Sequence, residues 1–540
     1  MSSKSRKQSQ APIWDSFDWL TDSAGLMGTF MVSGKGTGKS RCVTRSVVWK
    51  RFLRGIGQVY IDPVGAGVLN FVDKLLRFST RLPKSKQQEL WQRFRVFRFS
   101  GDYLPGFPLY FRLGHESLYE VAQRFLEVIR RLDPHLQTAS VEGWNPLYTT
   151  GTNVGMVLTS LGLPITVGED LLLHPRQWRS RLQQALQQDP EVAPAVRFFY
   201  DYMEWDARTR ARHIASFMNK IRVFTLDPTM RAIFAAEELS FHLPEVREKG
   251  LSVFLDTSGI DDTQRKQFIN MWLFQLILNS IKHEGVGRRE PWAFYVDELA
   301  DVVNGTAGGD LLAADIQELA DKWARNASVM YFFMSQHLHA QFSDTLVKTL
   351  LSSGNLVIGN ISDMGDDARA LVTHLFPYQA NRVKHWQPVY SGIPPRVIDY
   401  TPVFFSPQEQ AQIAAQAFRL AKFRFLFQAA EMEGSRTGQV QAMNLEGLDQ
   451  GIWVDEARAN PVIDLWAQRD RASKPVHRQS PEQQSTKSDP GIVSPHPPVQ
   501  PTRTSPEPVV PESQDTVEDA EFNAILAEIL EAMASEASQH

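Results

Sequence analysis

Residues 33–40 read Ser33-Gly34-Lys35-Gly36-Thr37-Gly38-Lys39-Ser40, and the run just before them, Gly28–Val32, is GTFMV. A short apolar run that stops at a glycine-rich loop, followed by Ser40–Leu53 with helical composition, predicts a strand, a phosphate-binding loop and a helix. The glycines let backbone N–H groups turn inward around phosphate oxygens, and the helix start adds its positive end. Lys39 is placed to reach the β- and γ-phosphates of ATP, and Ser40 to ligate Mg²⁺. Ser33 stands where such loops usually carry glycine, a small-for-small exchange.

Working outward, Gln58–Ile61 (QVYI) is a second apolar run, ended by Asp62-Pro63, and Arg95–Phe99 is a third. This is the opening of a parallel α/β sheet. Strand signals fade from about Leu113 to Val223, where apolar residues recur at helical spacing, as in Leu118, Val121, Phe125, Val128 and Ile129. They return at Leu251–Leu255, Ala293–Val296, Val329–Met334 and Leu356–Ile358, each short and apolar throughout, as strands buried on both faces are. Phe423–Ala429 and Gly438–Met443 suggest a late hairpin around Glu433–Thr437. The expected organisation is an arm at 1–27, an ATPase domain at 28–112 and 224–465 interrupted by an all-helical insertion at 113–223, a Pro-rich linker at 466–515 and a tail helix at 516–537.

Several residues in this frame carry chemistry. Trp292–Glu298 (WAFYVDE) is an apolar strand ending in two acids. Asp297 is placed to hold the Mg²⁺ shell, and Glu298 to orient and polarise an attacking water. Val329–Gln336 (VMYFFMSQ) ends another strand in Gln336, which either caps the strand or sits beside a γ-phosphate and reports its presence. Arg325, just before that strand, is either a surface arginine or a guanidinium that enters a neighbouring subunit's site. Arg208, Arg210, Arg212 and His213 in RTRARH, with Lys220 and Arg222, form the densest basic cluster of the helical region. Such a run is either a solvated helix face or a contact to a nucleic-acid backbone.

The formal net charge of -4 conceals a split. Residues 511–540 hold eight acidic residues and no Lys or Arg, which leaves +4 on the remainder. Cys42 is the only cysteine, which excludes an intrachain disulfide and a Cys-based zinc site and suits a reducing compartment. No apolar stretch follows the basic N-terminus, so no signal peptide is expected. The strongest membrane candidate, Met271–Ile281, is too short to span a bilayer and reads as a buried helix. A cytoplasmic chain with no membrane insertion is expected, held at a membrane complex only through a partner. Ten prolines fall between Pro475 and Pro511, in a composition that cannot offset its ordering entropy. In the tail, Phe522, Ile525, Leu526, Ile529, Leu530 and Met533 fall on one helical face opposite Glu521, Glu528 and Glu531, a pattern that suits either docking, on a protein partner with a basic surface or on the body of the chain, or a solubilising acidic tail.

The order of phosphate loop, Asp-Pro turn, helical insertion, Asp-Glu strand, then Arg325 eleven residues before Gln336 resembles the FtsK–HerA superfamily of ring-forming, DNA-pumping ATPases. Within it the likeness is to the coupling proteins of type IV secretion and conjugation, the TraD/TraG type, from roughly Gly28 to Met443. Leu226–Asp256 and Ser353–Asp363 add to it. The resemblance implies a RecA-like P-loop ATPase with a mostly parallel sheet, a homo-hexamer and DNA as cargo. It gives Lys39 and Ser40 to phosphate and Mg²⁺, Asp297 and Glu298 to water activation, Gln336 to sensing, and Arg325 to a site across a subunit interface. Two features depart from it: coupling proteins usually begin with transmembrane helices, and their Asp-Pro-Lys-Gly-Glu turn is here Asp62-Pro63-Val64-Gly65-Ala66. Two other functions remain open on the sequence. One is a HerA-like role in DNA repair or phage defence; the other is a nucleotide-gated cargo adaptor, against which the base Glu298 argues.

Overall fold

Among the described residues eleven strands form where apolar, often β-branched or aromatic runs meet turn residues: β1 Thr29–Val32, β2 Gly57–Asp62, β3 Phe94–Arg98, β4 Ser252–Asp256, β5 Trp292–Val296, β6 Val329–Ser335, β7 Asn355–Ile358, β8 Val383–Ser391, β9 Arg396–Phe404, β10 Arg424–Gln428 and β11 Val440–Asn444. The computed structural model describes residues 14–133, 136, 141–284, 290–303, 309–352, 354–361, 365–430, 440–448 and 454–470, with backbone alone at 141–145, 284 and 448. Nine strands make one sheet in the order β11-β10-β7-β1-β6-β5-β2-β4-β3, and β8 pairs only with β9. Only β10 runs against the rest of the nine. Every residue of β1, β2, β4, β5, β6 and β7 is buried, which is why their central residues are mostly apolar rather than alternating, with polar residues mainly at the strand ends.

The register lines up the carboxyl ends. Val32 pairs with Ser335 and with Ile358, Ile61 with Val296, and Asp62 with Asp256. The loops after β1, β6 and β5, three adjacent strands, therefore open on one edge, where α/β sheets bind ligands.

Between β3 and β4 the described chain is helical. Leu118–Leu132 begins with a capping box of Ser117 and Glu120, Val141–Leu161 and Ala207–Leu226 follow, and Asp227 caps Pro228–Phe234. Phe125, Phe224, Phe234 and Phe268 pack ring to ring at 5.3–5.7 Å. Phe268 belongs to Thr263–Glu284, the helix that returns to the sheet, so the helical region and the sheet share one core. Met271, Trp272, Phe274 and Ile281 are buried, and among the described residues no helix is long and apolar enough to cross a membrane.

One boundary and one element differ from expectation. The helix Glu456–Asp470 carries the body past residue 465, because Trp466 is buried with its ring centroid 5.0 Å from that of Phe94. The pair β8–β9 was not expected at all. The expected turn at Glu433–Thr437, the Pro-rich stretch beyond Asp470 and the tail helix lie outside the described residues.

Candidate active site

The phosphate loop takes its shape from its glycines. Gly36 and Gly38 sit at φ +79° and +92°, in the left-handed region that glycine adopts without strain. At Gly38 a Cβ would also meet the Phe423 ring at 2.3 Å. Phe423 itself holds φ +64°, rare for an aromatic residue, and its N–H donates to Thr37 O at 3.0 Å. Ser33, the departure from the usual glycine, is buried; its hydroxyl lies 2.6 Å from that of Thr37, which in turn donates to Gly34 O at 2.9 Å. The serine thus ties the two ends of the turn. Its Oγ fills the space where a side chain on Gly359 would fall, at 1.9 Å. Gly34 N donates to Asn360 O at 2.9 Å, while Lys35 lies in the exposed outer part of the loop.

The acid pair faces this loop across β6. Lys39 Nζ donates to Glu298 Oε2 at 3.1 Å, with both side chains nearly buried at 8% and 5% exposure. Ser40 Oγ donates to Asp297 Oδ1 at 2.8 Å. The other Glu298 oxygen, Oε1, accepts from Gln336 N at 3.3 Å and lies 3.0 Å from Ser335 Oγ. Ser335 Oγ is also within 2.9 Å of His337 O and Gln341 Oε1, so its single proton has three acceptors to choose from.

Burial raises the Asp297 carboxyl above its usual range, opposed by the nearby Lys39 charge and the Ser40 hydroxyl. Asp297 Oδ2 is buried without a hydrogen bond of ordinary geometry, close to the equally buried Tyr60 hydroxyl. A buried carboxylate oxygen left open beside a serine hydroxyl is a donor set that fits Mg²⁺, which takes one or two carboxylates and completes its shell with phosphate and water. Asp62 is different. Its carboxyl accepts from Gly65 N and Val68 N, both at 2.8 Å, so it builds the turn after β2 rather than pointing at the loop. Burial, then the Asp297 and Asp256 charges, push it well above the carboxylate range.

Of the residues expected from sequence, the fold brings Ser33–Ser40, Asp297, Glu298 and the backbone of Gln336 together. Arg325 lies apart from them. It is exposed in the turn Ala324–Asn326 before β6, with Nη2 3.0 Å from Met27 Sδ. Met27 precedes β1 whereas the loop follows it, so Arg325 sits roughly 20 Å from its own phosphate loop at strand rise. In the basic cluster, Lys220 pairs with Asp133 and Arg222 with Glu169, while Arg208 and Arg212 stay exposed. Cys42 is buried. Ser335 and Phe423 were not foreseen. Ser335 had a signal, as the polar end of the β6 run, whereas Phe423 reaches the loop only through tertiary structure.

No protein-family model matches the sequence, and no curated protein matches it. Among solved structures the likeness is to conjugative coupling proteins. The unbound bacterial conjugative coupling protein TrwB, lacking its first 70 residues, is 13% identical with TM-score 0.46, over 78% of this chain and 86% of that one. The plasmid coupling protein TrwB with ADP and Mg²⁺ is 13% identical with TM-score 0.44 over the same shares. VirB4 of Thermoanaerobacter pseudethanolicus is 13% identical with TM-score 0.44, over 77% of this chain and 88% of its own.

Proposed function

We propose that this chain is an ATP hydrolase that moves DNA as a homo-hexameric ring, in the manner of the type IV coupling proteins its motif order resembles. The observation that carries the reading is the pairing of the loop with the acids, Lys39 with Glu298 and Ser40 with Asp297, at the meeting of three parallel strand ends.

The pairing suggests how the site becomes active. Lys39 cannot hold a γ-phosphate and Glu298 Oε2 at full strength together, so arrival of the phosphate draws it away. Glu298 is then left anchored by Oε1 alone, to Ser335 and Gln336 N, with Oε2 turned toward the phosphate and ready to accept a proton from water. Mg²⁺ held at Ser40 and Asp297 would neutralise phosphate charge. Gln336 ties that carboxylate to β6 through its backbone, which suits a residue that reports phosphate occupancy.

The position of Arg325 supports a ring. A guanidinium exposed on the opposite sheet edge reaches a phosphate only in another copy of the chain, where it would stabilise transition-state charge. Arg208 and Arg212 offer sequence-independent charge to a DNA backbone. ATP turnover of the full chain, measured alone and with single- or double-stranded DNA, tests this. Stimulation by either DNA that vanishes in Lys39→Ala supports the motor. Steady turnover that no DNA alters would refute the DNA role and leave a plain ATPase.

A further inference from the structure

The hairpin β8–β9 stands clear of the body. All its positions from Ser391 to Tyr400 are exposed, which is unusual for a sequence as apolar as WQPVYSGIPPRVIDY. Its register sorts the side chains. Trp386 pairs with Pro402, Pro388 with Tyr400, and Tyr390 with Val397, so one face carries three aromatic rings. Gln387 with Thr401 and Val389 with Asp399 share the other. Trp386, Tyr390 and Tyr400 are 58%, 60% and 56% exposed.

Among the described residues both strands have a free edge, yet neither edge suits strand addition. Pro388 and Pro402 lack N–H donors, and register shifts fall between Val383 and His385 and between Val389 and Tyr390. A partner must therefore read the face. Arg382 and Lys384 stand at the base, stacked over Phe405 at 5.4 and 6.0 Å, and Arg396 stands near the tip. The opposing acids are Asp399, on the polar face, and Glu409, which pairs with Lys384 at 2.5 Å. Arg382 and Lys384 therefore flank the rings at the base, while Arg396, opposite Ser391, shares the polar face with Asp399.

We propose that this face binds single-stranded DNA, with Trp386, Tyr400 and Tyr390 as successive base-stacking platforms and Arg382 on the phosphate at the base. The inference rests on the DNA-moving reading above and deepens it. The rings alternate between strands in steps of two residues, about 6.8 Å. That is twice the ~3.4 Å rise per nucleotide of a stacked strand, so each ring meets a base of a strand that has been pulled open. Stacking tolerates every base, which suits a cargo of any sequence.

The test uses the full chain and two variants, Trp386→Ala/Tyr390→Ala/Tyr400→Ala and Arg382→Gln. Anisotropy of a labelled oligothymidylate and of a duplex of equal length is followed across a salt series, with melting temperature and sedimentation recorded. The ring variant is expected to lose oligothymidylate affinity about fivefold or more per ring at unchanged salt slope. The arginine variant is expected to lower that slope by about 0.7. Both should melt like the parent chain. Oligothymidylate affinity equal to the parent's in the ring variant overturns the proposal. Unchanged affinity with a smaller sedimenting species overturns it too and assigns the face to contacts between copies. If the parent chain binds neither nucleic acid, the DNA reading itself falls; if DNA stimulates parent and ring variant alike with equal affinity, only the hairpin assignment falls.

Discussion

Replacing Glu298 by Gln should tighten ATP binding while slowing hydrolysis. Lys39 Nζ is held 3.1 Å from Glu298 Oε2, in surroundings that exclude most water. A hydrogen bond to a charged partner contributes about 1.5–3 kcal/mol net. Glutamine keeps an acceptor oxygen but not the charge, so roughly 1 kcal/mol of that hold is released. Lys39 then moves to the γ-phosphate more readily, and Kd should fall about fivefold. Removing the proton acceptor should lower the rate of the chemical step about 10²–10⁴-fold. Titration of a fluorescent ATP analogue with Mg²⁺ gives the first quantity, and single-turnover phosphate release gives the second. The reasoning fails if Glu298→Gln melts like the parent yet binds the nucleotide more weakly, because the ion pair would then not be competing with the phosphate.

Three other substitutions probe separate parts of the site. Arg325→Ala should fold and bind ATP but lose DNA-stimulated turnover, and mixing it with Lys39→Ala under exchange should restore part of the activity; a mixture never exceeding its components speaks against action between copies. Asp297→Asn should abolish Mg²⁺-dependent nucleotide binding yet raise the melting temperature of the nucleotide-free chain at neutral pH, by about 1–2 °C per kcal/mol relieved. The sign follows from burial: the folded state holds the Asp297 proton to higher pH than the unfolded one, so stability falls as pH rises from about 4 toward its raised value, and the variant should lose that slope. Gly38→Ala should lose nucleotide binding by more than tenfold, and adding Phe423→Ala should not restore it, because the strain of about 1–2 kcal/mol at φ +92° remains once the ring is gone; full rescue in a nucleotide titration would assign the effect to the ring alone.

Six strands of the main sheet, β1, β2, β4, β5, β6 and β7, were legible because strands buried on both faces leave largely continuous apolar signatures, whereas β3, β10 and β11 are partly exposed and show a weaker, alternating one. The hairpin β8–β9 left none that could be trusted. It alternates without a buried face, and Pro388 within β8 argues against a strand until the free edge is seen. The loop and acid pair were legible for a related reason: each is a local motif at a strand end, and the fold only has to bring adjacent ends together. Phe423 was not legible. Its contact with Gly38 spans most of the chain, and nothing in the residues around it marks a phenylalanine destined for positive φ. Asp62 was legible as a turn former, but not as a carboxylate whose neighbours are Asp297 and Asp256, since that depends on the order β5-β2-β4.

The outer rim of the sheet at β3 is closed by side chains rather than by another strand. Arg469 Nη2 donates to Phe94 O at 2.7 Å, and Asp470 Oδ2 accepts from Val96 N at 3.0 Å, so the last two residues of the closing helix stand in for a missing neighbour. A shortened chain ending at residue 465 would remove that substitute together with Trp466. It would bare a row of unmet donors and acceptors beside a newly opened aromatic floor, the template on which sheets join edge to edge. Trimming the C-terminal stretch for solubility should therefore stop after Asp470; five residues fewer would turn a finished rim into an adhesive one.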